Sequence, residues 1–346
     1  MPESFQRAAV IGSGSFGTSL AKLLAYNVDV LIFSRKMEVV NEINNNHRHY
    51  NVDLDKRIRA SADLEEIVSS CQVLFPVIPS EHFRSVMRAL APHVRPFHIM
   101  IHGTKGLDLG SLESKNTQQR LTRHDVLTMS EVIEQETSVI RIGCLSGPNL
   151  SNEILHGQPT ATLLASPFDE VIKTGQELLS SKQFFVFGSH DLKGAELAGA
   201  LKNIIALGSG MLAGVGMGKN MQAMLITRGL SEMIYFGKAM GADIKSFLGT
   251  AGIGDLIATA TSEDSRNYTF GKRLGKGEKL SYITETSEEL AEGIRTLKII
   301  YPLMRNYKIT APITQVLYRI VFEDFDILRA IEYLMNFPYW VDVDYL

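Results

Sequence analysis

The sequence predicts an α/β domain with a mostly parallel sheet, followed by an all-α domain. Up to about residue 190, short apolar runs alternate with segments of helical periodicity, which is typical of a sheet covered by helices on both faces. Beyond that point helical periodicity continues, and no convincing strand remains. We therefore divide the 346 residues into domains at 1–190 and 191–346, which agrees with a prior of about 150 residues per domain.

Eight short runs in the first domain are predicted as strands. Most of them are continuously apolar, which indicates strands that are buried on both faces of a parallel sheet. In chain order they span 8–11, 29–33, 58–61, 72–77, 98–102, 141–145, 161–165 and 184–187.

Helical periodicity predicts the remaining elements. In the first domain the helices span 16–25, 37–45, 81–90 and 169–180. In the second they span 192–212, 221–240, 246–248, 290–306, 314–322 and 327–335. The segment 109–139 is polar, and we expect it to be an excursion from the first domain.

Composition and charge exclude several classes of protein. A hydrophobic share of 45% and a charged share of 21% are those of an ordinary globular protein. The formal net charge of −3 argues against a nucleic-acid binder, which usually carries a basic excess. Cys71 and Cys144 lie in apolar runs without metal-ligand spacing. We expect buried thiols in a reducing compartment and no metal site.

The chain shows no targeting or membrane signal. The apolar run at 8–11 is too short for a signal peptide, and the uncharged stretch at 203–218 is glycine-rich and too short for a span. We therefore expect a cytoplasmic protein without an integral membrane segment.

A glycine-rich motif follows the first strand and predicts a dinucleotide-binding loop. The pattern GxGxxG is weak alone, but here it follows a strand, opens a helix and precedes a second strand. Glycines let backbone N–H groups approach a pyrophosphate, and the helix N-terminus adds partial positive charge. A glycine-rich turn or a site for another nucleotide is the alternative. The predicted Rossmann-type loop consists of Gly12, Ser13, Gly14, Ser15, Phe16 and Gly17.

The end of the second strand indicates which nicotinamide cofactor binds. An NAD site usually carries Asp or Glu there, to bind the ribose hydroxyls. This sequence has Ser34, Arg35 and Lys36 instead. A guanidinium can bind the extra 2′-phosphate of NADP with two hydrogen bonds. NADP is therefore slightly favoured over NAD, although NAD also fits if Arg35 only stacks on the adenine.

Two further loops follow strands of the predicted sheet. Lys105 lies between Thr104 and Gly106 after the strand at 98–102, and Ser146-Gly147-Pro-Asn149 follows the strand at 141–145. Ligands of open α/β sheets bind beyond the carboxyl ends of the strands, so both loops are candidates for ligand contacts. A solvated lysine and a simple turn are equally compatible with these patterns.

Lys202 lies in a strongly apolar helical segment. Its neighbours at i−4, i+3 and i+4 are Ala198, Ile205 and Ala206. A lysine on such a face either extends to solvent or is buried. Burial would lower its pKa towards the range that is useful for proton transfer, which makes Lys202 a catalytic candidate.

A last cluster combines Gly252-Ile-Gly-Asp255 with Ser265-Arg266-Asn267. Asp255 could orient a hydroxyl or a catalytic ammonium. Arg266 offers a two-pronged donor to a phosphate, and Ser265 and Asn267 add neutral donors. The cluster predicts an oxyanion site, but a helix N-cap formed by Ser262 or Ser265 is equally compatible.

In this order and spacing, the five segments resemble the bacterial type of NAD(P)-dependent glycerol-3-phosphate dehydrogenase. The resemblance extends from Val10 to about Met335. Its most specific motifs are GSGSFGT at 12–18, TKGL at 104–107, LSGPN at 145–149, LKNIIA at 201–206, ITRGLSEM at 226–233, GIGDL at 252–256 and SRN at 265–267.

The resemblance implies a reaction and a set of residue roles. The reaction is the reversible reduction of dihydroxyacetone phosphate to sn-glycerol 3-phosphate, which supplies glycerophospholipid synthesis. Lys202 would be the proton acceptor in the oxidative direction, and Asp255 would hold its ammonium. The implied substrate contacts are Lys105, Gly147, Asn149, Lys202, Asp255, Ser265, Arg266 and Asn267. The implied cofactor contacts are Ser15, Phe16, Arg35, Lys105, Ser151, Arg266 and Glu292.

Two other functions are compatible with the same architecture. One is another two-domain NADP-dependent reductase, acting on a non-phosphorylated hydroxy acid, although the cluster at Arg266 argues against it. The other is a non-catalytic NADP-binding sensor, which has no use for Lys202 and Asp255 together. For assembly, exposed apolar surface on the helical domain is compatible with a homodimer.

Overall fold

The structure is a computed structural model that describes residues 6–110, 121–287, 291–338 and 341–342. The chain folds into two compact units. The first comprises Met1–Asp108 and Thr128–Ala195, and the second comprises Leu109–Leu127 and Glu196–Leu346. The segment 109–127 therefore belongs to the helical unit, whereas the sequence-based division counted it with the first domain.

Contacts within the helical unit explain where this segment lies. The Asn306 side chain donates to the carbonyl oxygen of Leu121 (2.8 Å), and the Tyr307 hydroxyl accepts from the N–H of Arg123 (3.0 Å). Leu109 and Leu121 are buried. The segment is polar overall, and its few buried leucines are not spaced with a helical or strand period. Sequence patterns therefore do not reveal that they are buried.

In its described residues the first unit contains ten strands, and eight of them form one sheet. In chain order the ten strands are β1 Arg7–Ile11, β2 Asp29–Phe33, β3 Arg48–His49, β4 Val52–Asp53, β5 Ile58–Ser61, β6 Val73–Pro76, β7 Ile99–His102, β8 Arg141–Ser146, β9 Thr160–Ala165 and β10 Phe184–Ser189. The sheet order is β10-β9-β8-β7-β6-β1-β2-β5, and β3 pairs with β4 in a separate antiparallel ribbon. All eight predicted strands are confirmed.

Every neighbouring pair in the large sheet is parallel except β8 and β9. Apolar side chains of the central strands, such as Val10, Phe75 and Ile101, are fully buried. β1 lies between β2 and β6, which is where the strand order reverses. Ligand sites of open α/β sheets lie at this position, so the loop after β1 is well placed for a cofactor.

Seven helices accompany the strands of the first unit in the described residues. They are α1 Ser15–Leu24, α2 Met37–Asn41, α3 Leu64–Ser70, α4 Ser80–Leu90, α5 Met129–Glu136, α6 Ser151–Leu155 and α7 Asp169–Leu179. A π-helical turn at Glu42–Asn46 continues α2. Helices α3, α5 and α6 were not predicted, because none exceeds eight residues and so none shows a clear period. Thr128 and Glu131 form a capping box at the start of α5, which was a readable signal.

The second unit is entirely helical in its described residues, and its first long helix, at Leu192–Gly214, begins within the last four residues of the first unit. Its helices are α8 Leu192–Gly214, α9 Lys219–Ala239, α10 Ile244–Leu248, α11 Asp255–Thr261, α12 Arg266–Gly275, α13 Leu280–Thr286, α14 Glu292–Asn306, α15 Pro312–Phe322 and α16 Ile327–Met335. The six predicted helices are present. Helices α11, α12 and α13 were not predicted, because glycines and polar residues interrupt their apolar periodicity.

Four glycines let α8 and α12 cross with their backbones in contact. They are Gly210, Gly214, Gly271 and Gly275. A Cβ atom at Gly210 would lie 2.0 Å from the carbonyl oxygen of Tyr268, and one at Gly271 would lie 2.0 Å from that of Leu207. Because the two helices cross this closely, the first turn of α12 lies beside the turn of α8 that contains Lys202 and Asn203.

Helix α8 is the one described helix that is long and apolar enough to cross a membrane. However, 89% of its most apolar window is buried inside the protein, as in the core helix of a soluble protein. Its apolar character is therefore explained by the core of the helical unit.

Candidate active site

The glycine-rich loop after β1 has the geometry of a dinucleotide cradle. Gly12 has φ of 127°, and a Cβ atom there would lie 2.7 Å from the carbonyl oxygen of Val77. A Cβ atom at Gly17 would lie 2.0 Å from the carbonyl oxygen of Gly12. At Gly14, by contrast, a Cβ atom would meet open space. The backbone is therefore tightly turned and accessible at the N-terminus of α1, which fits a pyrophosphate group.

Ser34 connects this loop to the end of β2. The Ser13 hydroxyl donates to Ser34 Oγ (2.8 Å), which also accepts from the N–H of Lys36 (3.3 Å). Ser34 is buried, whereas Arg35 is exposed. The sequence predicted that Arg35 beside a serine could bind a 2′-phosphate. In the structure the Ser34 hydroxyl is hydrogen-bonded to Ser13 of the glycine-rich loop. The Arg35 side chain is exposed at the end of β2.

The two later loops of the first unit are in direct contact. Lys105 Nζ donates to the carbonyl oxygen of Gly147 (2.7 Å). The side chain of Asn149 accepts from Thr162 Oγ1 (2.9 Å) and contacts the carbonyl oxygen of Ala161 on β9 (3.4 Å). The first bond joins the two predicted substrate loops, and the contacts of Asn149 hold the second loop against β9.

Ser151 and Phe16 lie near the start of two neighbouring helices. Ser151 begins α6, and its carbonyl oxygen accepts from Ser19 Oγ of α1 (3.1 Å). Phe16 packs so closely on Gly103 that a Cβ atom there would lie 2.7 Å from its ring. Both residues thus belong to the packing around α1, next to the glycine-rich loop.

In the helical unit, Lys202 forms a buried ion pair. Its ammonium lies 2.5 Å from Asp255 Oδ1 and also contacts the hydroxyl of Thr259, which itself contacts Asp255 Oδ1 (3.3 Å). Lys202 is 5% exposed and Asp255 is 1% exposed. Removing a charge from water is costly unless it is paired, and Asp255 supplies that pairing. The sequence left open whether Lys202 extends to solvent or is buried; the structure shows the buried alternative and adds a carboxylate partner.

Local sequence explains how Asp255 reaches this position. A π-helical turn at Thr250–Gly254 precedes α11, and a Cβ atom at Gly252 would lie 2.0 Å from the carbonyl oxygen of Phe247. The turn therefore needs glycine. Asp255 then begins α11, where a negative charge is favoured, and Thr259 follows one helical turn later on the same face.

The predicted oxyanion cluster lies at the N-terminus of α12. Ser265 is the N-cap, and its hydroxyl accepts from the N–H of Tyr268 (3.3 Å). Arg266 is the first helical residue and is exposed. Asn267 is buried; it donates to Asn203 Oδ1 (3.0 Å). The N-cap alternative thus describes Ser265 correctly, and a helix N-terminus with an arginine is itself suited to an anion.

Helix α14 begins beside the same group. The Gly293 N–H donates to Asn267 Oδ1 (2.8 Å), and a Cβ atom at Gly293 would lie 2.6 Å from the carbonyl oxygen of Asn203. Glu292, a predicted cofactor contact, is the half-buried first residue of that helix. The N-termini of α12 and α14 therefore meet at the Lys202–Asn203 turn of α8.

Sequence reasoning missed two polar residues of this group, Thr259 and Asn203. Thr259 shows its role only once α11 is known to begin at Asp255, because the i, i+4 spacing then places both on one face. Asn203 follows Lys202 directly, but its polar contact comes from α12, which was not predicted.

Another buried carboxylate lies in the motif at 226–233. Glu232 accepts from the N–H groups of Ile313 (2.6 Å) and Thr314 (2.9 Å) and from the Thr314 hydroxyl (2.7 Å). It therefore caps the first turn of α15. Burial raises the pKa of Glu232 to about 7, although these three hydrogen bonds act in the opposite direction.

The cysteines and metal-ligating side chains show no second site in the described ranges. Cys71 and Cys144 are buried free thiols, and burial raises the pKa of Cys71 to about 12. The described part of the chain holds no group of three His, Cys, Asp or Glu side chains that could bind a metal.

Comparison with known proteins identifies the family. Family models for the N-terminal and C-terminal parts of NAD-dependent glycerol-3-phosphate dehydrogenase match residues 7–172 and 191–332. The chain belongs to this family. It is 38% identical to the glycerol-3-phosphate dehydrogenase [NAD(P)+] of Teredinibacter turnerae over 343 residues, covering 98% of this chain and 97% of the relative. The glycerol-3-phosphate dehydrogenase [NAD(P)+] of Limosilactobacillus fermentum is 39% identical. The alignment covers 96% of this chain and 97% of that relative.

Solved structures agree with the family and the fold. The crystal structure of glycerol-3-phosphate dehydrogenase from Coxiella burnetii has a TM-score of 0.86 and 31% identity, covering 96% of this chain and 99% of that one. The structure of the yeast enzyme supports the fold, with a TM-score of 0.80 and 24% identity. The superposition covers 94% of this chain and 98% of that one. The resemblance inferred from the sequence motifs is confirmed, and the family is one of NAD(P)-dependent oxidoreductases.

Proposed function

We propose that this protein reduces dihydroxyacetone phosphate to sn-glycerol 3-phosphate, reversibly, with NADPH or NADH. The observation that carries the proposal is the buried contact of Lys202 with Asp255 and Thr259 in a member of this dehydrogenase family. A buried ammonium is suited to polarise a carbonyl group and to donate a proton to the alkoxide that forms. The product supplies glycerophospholipid synthesis.

In this proposal Lys202 and Asp255 are the catalytic residues. Lys202 donates a proton to the carbonyl oxygen during reduction and accepts it during oxidation. Asp255 and Thr259 hold the ammonium in one position, so little reorganisation is needed during the reaction. Thr259 acts as a positioning residue through its contacts with both partners.

The proposed cofactor site is built on the loop after β1. Bound NADPH or NADH supplies the hydride that reduces the carbonyl carbon. The open backbone at Gly14 and the N-terminus of α1 bind the pyrophosphate. The proposed contacts are Gly12, Ser13, Gly14, Ser15, Phe16, Gly17, Arg35, Lys105, Ser151, Arg266 and Glu292.

The proposed substrate contacts combine cations with neutral donors. Arg266 and the N-terminus of α12 bind the substrate phosphate, because both favour an anion. This remote contact supplies binding energy and orients the carbonyl group. The full proposed set is Lys105, Gly147, Asn149, Lys202, Asp255, Ser265, Arg266 and Asn267.

We further propose a preference for NADP over NAD, because Arg35 stands where an NAD site usually carries a carboxylate. Arg35→Asp should shift the ratio of kcat/KM for NADPH and NADH towards NADH. An unchanged ratio would show that Arg35 does not discriminate between the cofactors.

Three broader proposals concern the whole chain. We propose that residues 1–190, apart from the segment 109–127, act as the cofactor domain and 191–346 as the substrate domain, and that the protein works in the cytoplasm. We also propose a homodimer, since Leu328 and Met335 of α16 are 59% and 57% exposed on the helical unit. Light scattering of the purified protein measures the assembly directly.

One assay tests the proposed function against its alternatives. NADPH and NADH oxidation is followed with dihydroxyacetone phosphate and, separately, with unphosphorylated dihydroxyacetone. The proposal predicts rapid turnover of the phosphorylated substrate and little turnover of the other. Equal turnover of both would favour a reductase of non-phosphorylated substrates. Cofactor binding without turnover would favour a sensor.

A further inference from the structure

An ion pair of the first unit lies three residues beyond Lys105. Asp108 is 2% exposed, and its Oδ1 accepts from Arg84 of α4, both from Nε (2.9 Å) and from Nη2 (2.8 Å). The Arg84 side chain is 14% exposed. Two donors on one edge of a rigid, planar guanidinium converge on one carboxylate oxygen, which fixes the direction of the contact. The pair is therefore a buried, directional anchor for the chain at Asp108.

The segment that carries Lys105 depends on such anchors. Residues 103–107 form neither helix nor strand. The Thr104 hydroxyl donates to the carbonyl oxygen of Ile78 (2.7 Å), which holds the chain directly before Lys105. The ion pair at Asp108 holds the chain on the other side. The backbone at Lys105 is thus held between two anchors, and this limits where its ammonium can reach.

The same guanidinium also contacts α5. Nη1 of Arg84 donates to Glu136 Oε1, and Glu136 Oε2 accepts from Nε of Arg88 (2.9 Å). This second contact joins α4 to α5 and involves no residue of the segment 103–108. Arg84 therefore pairs with two carboxylates that mutation can remove one at a time. One belongs to the Lys105 segment, and the other belongs to a helix.

We propose that Arg84 and Asp108 are positioning residues, which fix the segment that carries Lys105 so that its ammonium reaches the cofactor and the substrate. The contact of Arg84 with Glu136 instead stabilises the packing of α5 on α4. This inference rests on the proposed function, in which Lys105 contacts both ligands. It adds no step to the reaction.

The test is the steady-state kinetics of the full-length protein with dihydroxyacetone phosphate at saturating NADH. Asp108→Ala should raise the KM for dihydroxyacetone phosphate roughly tenfold, which is the usual effect of losing a charged hydrogen bond. The kcat should change much less, because a displaced binding contact weakens the ground state and the transition state alike. Asp108→Asn keeps an acceptor oxygen for Arg84 and should restore most of the affinity. A wild-type KM in Asp108→Ala overturns the proposal.

Glu136→Ala is the matched control, because it removes the other carboxylate of the same guanidinium. We expect a lower melting temperature, since the contact between α4 and α5 is lost, and a KM near the wild-type value. If Glu136→Ala raises the KM as much as Asp108→Ala does, the network only supports the fold, and the proposal is overturned.

A double-mutant cycle decides whether Asp108 acts through Lys105. If it does, Asp108→Ala should raise the KM no further once Lys105 has been replaced by alanine. Additive effects, or a wild-type KM in Lys105→Ala, overturn the proposal. If Asp108→Ala does not fold, Arg84→Lys takes its place in the cycle, since an ammonium lacks the fork that holds Asp108. Failure of the proposed function itself is distinct, because the wild type would then not turn over dihydroxyacetone phosphate.

Discussion

The two candidate sites of this molecule are built in different ways. The glycine-rich loop of the first unit is one continuous segment, shaped by close backbone contacts and open at Gly14. The site around Lys202 in the helical unit combines side chains from α8 and α11. Its two charged residues, Lys202 and Asp255, are 53 residues apart in the sequence. The first site offers backbone N–H groups to a ligand, and the second offers a buried charge.

In the proposed function, this difference separates cofactor binding from proton transfer. A loop of backbone donors binds an anion without a proton to give at neutral pH, whereas a paired ammonium can donate one. If the comparison is correct, changes in the two regions alter different measured quantities. The variants below test this, from the largest expected effect to the smallest.

Lys202→Ala should reduce kcat by roughly two to four orders of magnitude, which is the usual contribution of a positioned acid or base. The NADPH Kd should change little, because the loop after β1 is untouched. Steady-state turnover with dihydroxyacetone phosphate measures the first quantity, and cofactor fluorescence measures the second. Lys193→Ala on the same helix is the control, since Lys193 is 39% exposed and pairs with Glu131. Near-normal kcat in Lys202→Ala would remove Lys202 from catalysis.

Glu232 extends the comparison to stability, because the helical unit buries this carboxylate among N–H and hydroxyl donors. Its pKa is raised from 4.5 to about 7, so the folded state binds the proton more tightly than the unfolded state. The stability that this proton contributes is complete below about pH 4.5 and is lost as pH rises through about 7. The expected loss is about 3 kcal/mol.

Urea unfolding at several pH values measures this effect. Glu232→Gln should flatten the pH dependence of the unfolding free energy in this range, whereas the exposed Glu285→Gln should leave it unchanged. A slope that persists in Glu232→Gln would assign the pH dependence to another group.

The glycines of the loop allow a matched pair of variants. Gly17→Ala places a Cβ atom 2.0 Å from the Gly12 carbonyl oxygen, so it should lower the unfolding free energy by about 1–3 kcal/mol. Gly14→Ala meets open space, so the melting temperature should stay nearly constant while the NADPH Kd rises. Thermal melting and cofactor titration of both variants check this. Equal destabilisation by both would mean that Gly14 is not open.

Thr259→Val sharpens the account of the ion pair. The change removes the hydroxyl that contacts Lys202 and Asp255, so we expect kcat to fall about tenfold with KM nearly unchanged. Thr261→Val on the same helix is the control, because the Thr261 hydroxyl bonds its own helix at Ile257. If both variants lower kcat alike, the effect belongs to α11 in general.

The sequence predicted well what is local in the chain. All eight strands of the large sheet were found, and most of them were recognisable because buried parallel strands are continuous apolar runs. The glycine-rich loop was found because its residues are adjacent and stand between a strand and a helix. Asp255 was singled out beside Lys202, but their contact could not be derived from spacing, since it depends on how α8 and α11 pack.

What the sequence did not predict depends on contacts between distant segments. Helix α12 begins with an N-cap at Ser265, yet its glycines, which permit the close crossing with α8, lower its helical signal. Thr259 is recognised only through its contact with Lys202 of α8. Glu232 is recognised only because it accepts hydrogen bonds at the start of α15. The same reason explains the segment 109–127, whose anchors lie on the end of α14 and just beyond it.

One paired measurement tests the central claim, that cofactor binding and proton transfer reside in different regions. The NADPH Kd and the kcat at saturating cofactor are determined for Gly14→Ala and Lys202→Ala under the same conditions. We predict that Gly14→Ala raises the Kd and keeps kcat within a few-fold of wild type, whereas Lys202→Ala lowers kcat by at least about 100-fold and keeps the Kd. If either variant changes both quantities to a similar extent, the claim is contradicted.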